Sequence, residues 1–541
     1  MRTLAEGFVR KPLLVIFGFI GVVALGFLIW FDLGPPLAFN DDFLFAWSVR
    51  QLAAGHGFRV LPEQAPLATV QVVWGTLVSL GRADPRILRL SAVPFVLLAA
   101  GAVYYLSRHL GANREWALLG SVSLLLTPFF LSVATSFMTD AFYAGLLMAA
   151  AVAGVCWVEG GRMRWTCCTF MLLAALERQN GVALALALTA GLLAARSKRS
   201  VSRSEWLTLG GLWLAGGLVL ALPSLLGLHT GAHRLTALLT ANPLRLLRAT
   251  TFFAPALGLV LAPFLVALIF SKRQRAVRSW SGLVPVVLAE IGVLNLGVAI
   301  ATAYQVGTSY FSATALNPTT LFGQKPAVYP LALFVLVQLI VLATFLAILI
   351  GHRAEWMLQR LGQAAIFLLV LSGTQLLIML QGDVYDRYFI PVIAPLIPLV
   401  AVVASRTSRP KLAAGWACAS LGLWLGLYVI GEQDYQAWEV ARDEAARMAY
   451  QRVSPSQVDA GYEANAVYWE LPLYDRTNVP VGAQPSDVYG EPSMVGPPNP
   501  RLRLYFARPT DPRPGVSYSS AAPGRVVIAP VPSPSPQTAS R

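Results

Sequence analysis

Ala141-Phe142-Tyr143-Ala144-Gly145-Leu146-Leu147-Met148-Ala149-Ala150-Ala151-Val152-Ala153-Gly154-Val155-Cys156-Trp157-Val158 carries no charged side chain. As a helix it spans most of a bilayer core at 1.5 Å rise per residue. Asp140 stands directly before it and Glu159 directly after it. Stretches of the same kind recur on both sides, at roughly 12–31, 88–107, 116–134, 166–176, 181–195, 206–227, 251–270, 282–303, 328–350, 361–381, 388–404 and 412–431. Over all 541 residues 56% are hydrophobic and 13% charged, and the mean hydropathy is +0.61. Soluble domains carry about 25% charged residues, so soluble, fibrous and disordered classes are excluded. The sequence predicts an all-α polytopic membrane protein of about 13 transmembrane helices.

The net charge of +14 follows the same logic. It fits the Lys/Arg bias of cytoplasmic loops and does not call for nucleic acid. Arg2, Arg10 and Lys11 precede the first apolar stretch, which is too long for a signal peptide, so the N-terminus is placed inside. Clusters at Arg108/Arg114, Arg162/Arg164, Arg196/Lys198/Arg199/Arg203, Lys272/Arg273/Arg275/Arg278, Arg353/Arg360 and Arg406/Arg409/Lys411 then all face the cytoplasm. This alternation requires two spans, not one, around Glu177-Arg178-Gln179-Asn180, and leaves the C-terminus outside. Cys156, Cys167, Cys168 and Cys418 lie in or beside apolar stretches, with no disulfide or zinc spacing.

The expected organisation is a transmembrane domain over 1–431, a small mixed outside domain over 432–529 and a Pro/Ser tail over 530–541. The first outside loop, 32–87, holds two amphipathic stretches, Phe43–Leu52 and Leu67–Leu80, that suit helices lying in the membrane interface. In the C-terminal part, Gln436–Arg452 reads as a helix, with strand candidates at Leu502–Phe506 and Val526–Ile528. No internal repeat is evident.

The polar residues left at membrane depth on the outside are the candidates for chemistry. Asp41 and Asp42 form a carboxylate pair after the first span, able to supply a general base; the alternative is an N-cap for the helix starting near Phe43. Asp140 lies on the same side, either as a second functional acid or as a helix cap. Glu177-Arg178-Gln179-Asn180 is a polar knot between two short apolar halves, read as a cavity lining or as a turn with a local Glu177–Arg178 pair. Arg387, in Asp383-Val384-Tyr385-Asp386-Arg387-Tyr388, sits on the side that charge bias disfavours, and its planar fork suits a phosphate. Arg50, Arg59, Arg82, Arg86 and Arg89 share that side. His56, His229 and His233 have no partner at metal-ligand spacing. There is no Walker loop, nucleophile elbow or HExxH.

Asn40-Asp41-Asp42 with Trp47 and Arg50, Pro66-Leu67, Arg89-Leu90, Ser136-Phe137-Met138-Thr139-Asp140, Arg178-Gln179 and Asp386-Arg387-Tyr388 followed by Pro391 resemble the polyprenyl-phosphate-dependent glycosyltransferases of the membrane GT-C class. The similarity is to the family 39-like branch of protein O-mannosyltransferases and lipid A aminoarabinose transferases, and it covers residues 1–431. It implies inverting transfer from a polyprenyl-phosphate sugar to an envelope glycan, lipid or protein at the periplasmic face of a bacterial inner membrane. It also implies that Asp41 and Asp42 are the catalytic pair, with Asp-Asp where many relatives have Asp-Glu. Arg178 and Arg387 would bind the donor phosphate, Asp140 the acceptor or a metal, with Gln179, Tyr388 and Arg89 in support. No cofactor is required, although carboxylates and phosphate would suit Mg²⁺ or Mn²⁺. The competing reading is a lipid-linked-sugar flippase or proton-coupled transporter using the aspartates as a relay. The absence of an inverted repeat speaks against it.

Overall fold

The computed structural model describes residues 41–61, 67–134, 136–225, 257–270, 321–323, 325–330, 362–379, 386–472 and 500–531, with scattered positions between 332 and 343. The expected spans at 12–31 and 282–303, most of 328–350, and His229 and His233 lie outside these residues.

The first described helices are α1 (Asp42–Ala53) and α2 (Thr69–Val78). Asp84 then caps α3 (Pro85–Leu90), accepting from the Arg86 amide at 2.8 Å, with proline at the first helical position. Next come α4 (Val93–His109), α5 (Arg114–Leu125), started by an Asn113 cap on the Trp116 amide, and α6 (Pro128–Ala134). The charge-free stretch forms α7 (Thr139–Gly160), stopped by Gly161 in the left-handed conformation at φ 68°. It is followed by α8 (Arg164–Glu177), a 3₁₀ turn at Gln179–Val182, α9 (Ala183–Ala195) and α10 (Arg203–Leu225). Later segments add α11 (Leu265–Ile269), α12 (Gln363–Met379), α13 (Ile390–Ile393), α14 (Ile397–Ala404), α15 (Pro410–Tyr450) and α16 (Tyr462–Asn465).

Helix α7 is the centre of the bundle, packed against α4, α8, α9 and α12. Because neighbours surround it, both faces are apolar, and its sequence shows no polar stripe. Gly145 allows the closest approach: a Cβ there would lie 2.5 Å from the Phe95 carbonyl oxygen on α4. Among the described residues four helices are long and apolar enough to cross a membrane: Pro85–His109, Thr139–Gly160, Arg203–Leu222 and Pro410–Tyr450. Two bent pairs, Arg114–Leu125 with Pro128–Ala134 (68°) and Arg387–Ile393 with Ile397–Ala404 (59°), bring the number to six if each is one span. The stretches at 166–176, 181–195 and 361–381 form the shorter helices α8, α9 and α12.

The two loop helices differ in burial. α2 leaves Val73, Leu77 and Val78 exposed. α1 instead is buried on both sides: Phe43, Leu44 and Trp47 form a small core with Leu61, Ala466 and Leu471. The cause is the C-terminal segment, which folds over α1 and sets the Tyr462 ring, tilted by 59°, 5.6 Å from that of Phe43. α1 is therefore a covered helix, not one lying free in the interface.

The anticipated helix at 436–452 is the second half of α15, which runs without a break through residue 431. A small sheet packs on that half. Its strands are β1 (Phe322–Gly323), β2 (Val458–Asp459), β3 (Leu502–Ala507), β4 (Gly515–Tyr518) and β5 (Gly524–Pro530), in the order β1-β3-β5-β4 with β2 also on β3. β3 and β5 are antiparallel, pairing Leu504 with Ile528, and Trp438 of α15 meets Phe506 edge-on at 5.3 Å. The expected strands at 502–506 and 526–528 lie within β3 and β5. The short β4 was not anticipated, since four residues show little alternation. A buried ion pair, Lys325 with Asp434, joins the β1 segment to α15, and Ser520 donates to the same carboxylate at 2.6 Å. Burial draws the Lys325 ammonium below the usual lysine range, and Asp434 opposes the shift.

Gly181 is where the chain doubles back after α8. A Cβ there would stand 2.5 Å from the Ala175 amide nitrogen and 2.7 Å from the Ala174 carbonyl carbon. Gly181→Ala should therefore cost about 1–3 kcal/mol of stability. Gly217→Ala, in open space on α10, should be neutral or stabilising by up to about 1 kcal/mol. Thermal unfolding of the two variants in detergent checks this; equal midpoints would show that the turn relaxes freely.

Candidate active site

Three stretches far apart in sequence meet at the start of α7. Asp140 lies in the first turn of that helix, where a carboxylate is favoured by the helix dipole. Its Oδ1 is paired with Arg178, and its Oδ2 lies 3.7 Å from Arg387 Nη1. The Asp140 side chain is 2% exposed and that of Arg387 3%, so the charges must neutralise one another. The Tyr388 ring serves both cations, with the Arg178 and Arg387 guanidinium carbons 5.0 and 5.2 Å from its centroid.

Arg387 also links this group to the first loop. Its Nη2 donates to Asp41 Oδ2 at 3.4 Å, while Tyr462 Oη donates to Asp41 Oδ1 at 2.8 Å. Asp41 makes no side-chain cap on α1, so the helix-cap alternative is not its role here. Its side chain is 29% exposed, the most open of the cluster's carboxylates. Asp42 faces elsewhere. Successive residues on a helix are about 100° apart, and Asp42 accepts from Arg89 Nε at 3.1 Å and Nη2 at 3.0 Å. Thus Asp41, Asp140, Arg178, Arg387 and Tyr388 come together, whereas Asp42 and Arg89 form a separate pair.

The polar knot divides its labour. Glu177 does not pair with its neighbour Arg178; its Oε2 accepts from the Gln71 amide at 2.9 Å, at the N-terminus of α2. Its backbone carbonyl takes the Ala68 amide at 3.2 Å. The Asn180 carbonyl accepts from Gln375 Nε2 at 3.0 Å, and the same amide group donates to Tyr143 Oη at 2.8 Å. Glu177 and Asn180 therefore fasten α2 and α12 to the turn, and Arg178, in extended backbone at φ −141°, is left to reach Asp140. Gln179 is half-buried in the following 3₁₀ turn, and among the described residues no hydrogen bond joins its side chain to the cluster. Tyr462 was not anticipated. It lies 421 residues from Asp41, in a stretch without a motif.

The donor set suits an anion. Each guanidinium has five N–H groups in a fixed plane, and two of them converge around Tyr388. Arg178 takes Asp140 Oδ1, whereas the buried Oδ2 accepts no hydrogen bond and lies 3.7 Å from Arg387 Nη1. Among the described residues no group of three His, Cys, Asp or Glu side chains could hold a metal ion.

No family model matches the chain, and no curated protein matches it. Among solved structures, it is similar to ArnT from Cupriavidus metallidurans bound to undecaprenyl phosphate, at 14% identity and TM-score 0.40, over 96% of this chain and 98% of that one. The apo state of the same protein gives 14% identity and TM-score 0.37, over 95% and 98%.

Removing the Asp140 charge takes the carboxylate from Arg178 and leaves the buried Arg387 with Asp41 alone. Asp140→Asn should cost about 3–5 kcal/mol, whereas Asp41→Asn, at a partly open pair, should cost about 1 kcal/mol or less. Denaturation midpoints in detergent test the contrast; a milder effect at Asp140 than at Asp41 would contradict the ion-pair arrangement.

Proposed function

We propose that the chain is a membrane glycosyltransferase that moves a sugar, with inversion, from a polyprenyl-phosphate donor to an acceptor hydroxyl or amine at the periplasmic face of a bacterial inner membrane. The observation that carries the reading is the carboxylate Asp41, partly open and held between Tyr462 and a guanidinium, beside a second guanidinium on the same tyrosine. The motifs described above support the same class. Thirteen spans, an inside N-terminus and an outside C-terminal segment complete the proposed topology.

In this mechanism Asp41 takes the proton of the acceptor group as its oxygen or nitrogen attacks the anomeric carbon. The new glycosidic bond forms on the face opposite the departing group. The bond between the anomeric carbon and the phosphate oxygen breaks, and polyprenyl phosphate leaves. Negative charge gathers on that oxygen, where Arg387 and Arg178 stabilise it without reorganising, because Asp140 and Tyr388 already hold them. Asp140 acts through the two arginines and is a positioning residue. Asp42, tied to Arg89, is not the base.

Purified full-length protein with labelled polyprenyl-phosphate sugars and an envelope acceptor fraction should release polyprenyl phosphate. Asp41→Asn should slow release by about 10²–10⁴, and Asp42→Asn by far less. Loss of release in Asp42→Asn alone would transfer the role of base to that residue. Lipid binding without release from any donor would sink the transferase reading and favour a flippase.

A further inference from the structure

A cavity of about 600 Å³ is lined by Asp42, Ala46 and Arg50 of α1. α1, α3 and the C-terminal segment enclose it. Its charged wall is Asp42, Arg50, Arg442, Asp443, Arg447 and Glu463. The volume falls within the range of about 300–1,000 Å³ usual for small-ligand sites. Neither Asp41 nor Tyr462 lines it, yet their chain neighbours Asp42 and Glu463 do. The Tyr462–Asp41 hydrogen bond thus joins two residues whose chain neighbours line the cavity.

The polar chemistry of the wall differs from that of the cluster. Three carboxylates face three guanidiniums, and each carboxylate is matched: Asp42 with Arg89 at 3.0 Å, Glu463 with Arg442 at 2.7 Å, and Asp443 with Arg447 at 2.5 Å. Tyr468 also donates to Asp443. An ammonium group entering here would compete with a guanidinium already paired to each carboxylate, and a phosphate would meet as many lining carboxylates as guanidiniums. A ligand rich in hydroxyl groups meets no such conflict, since it donates to carboxylate oxygens and accepts from guanidinium N–H groups at once. Phe43, Leu88 and Phe137 supply apolar wall beside these groups, against which the C–H face of a sugar ring can lie.

We propose that this cavity binds an uncharged saccharide segment of the acceptor, and so that the acceptor is a neutral glycan. The inference rests on the transferase reading for the word acceptor, but the saccharide site itself does not depend on it. A glycan seated beside Asp42 lies one residue along the chain from Asp41.

The test is binding of neutral oligosaccharides to the full chain in nanodiscs, without donor, followed by saturation-transfer NMR. A phosphorylated version of each sugar serves as the comparison. Ala46→Trp fills the cavity from the α1 side, and Arg447→Ala removes a guanidinium at its mouth, where the side chain is 68% exposed and truncation leaves the fold intact. Neutral sugars should bind wild type and Asp41→Asn alike, and each cavity variant should weaken them about tenfold or more. No binding of any neutral sugar, binding insensitive to both cavity variants, or binding of the phosphorylated sugars alone would overturn the proposal. Neutral-sugar binding that the cavity variants abolish, in a protein that releases no polyprenyl phosphate, would keep the saccharide site while removing the transferase reading.

Discussion

A carboxylate buried at the end of an apolar helix cannot stay ionised alone, and the whole site follows from how Asp140 meets that constraint. Two guanidiniums approach it, one from the turn after α8 and one from the turn before α13. Each brings its own element into place. Arg178 fixes where the polar knot sits, and Arg387 fixes the entry to the bent α13–α14 pair while reaching across to Asp41. The arrangement sets two guanidiniums against two carboxylates, Asp41 and Asp140, in a poorly solvated place. The stability of the bundle and the chemistry of the site are thus parts of one electrostatic arrangement.

The second organising feature is the C-terminal segment. It is more than an appended unit, because it roofs α1, contributes Tyr462 to Asp41 and builds most of the wall of the 600 Å³ cavity. The continuous α15 makes this possible by carrying the bundle directly into the region that the sheet covers. Within that region Arg442 is buried between Glu439 and Glu463. A triad of this kind contributes little net stability, but it sets which surface of α15 faces α16. The helical offset between Asp41 and Asp42 then gives one acidic pair two faces, one toward Arg387 and one toward Arg89 and the cavity.

Much of the helical scaffold was legible in the sequence, because a run of apolar residues long enough to cross a bilayer has few alternatives. The break at Glu177–Asn180 was legible for the same reason: polar backbone at that depth must be buried in protein. The partners of those residues were not. Glu177 next to Arg178 looks like a local pair, yet backbone direction at the end of α8 sends one to α2 and the other to α7. Likewise, α1 has the pattern of an interfacial helix, and only the covering segment buries its second face.

By itself the sequence determined that this is a bundle of apolar helices with acids and arginines gathered at helix ends, because the length of an apolar run and the cost of an unpaired charge are local quantities. Only the tertiary structure decided which carboxylate faces which arginine, that Asp41 and not Asp42 joins the cluster, and that Tyr462 completes it from 421 residues away. Those choices depend on the direction in which each helix end points, and that direction is set by packing against elements distant in the chain.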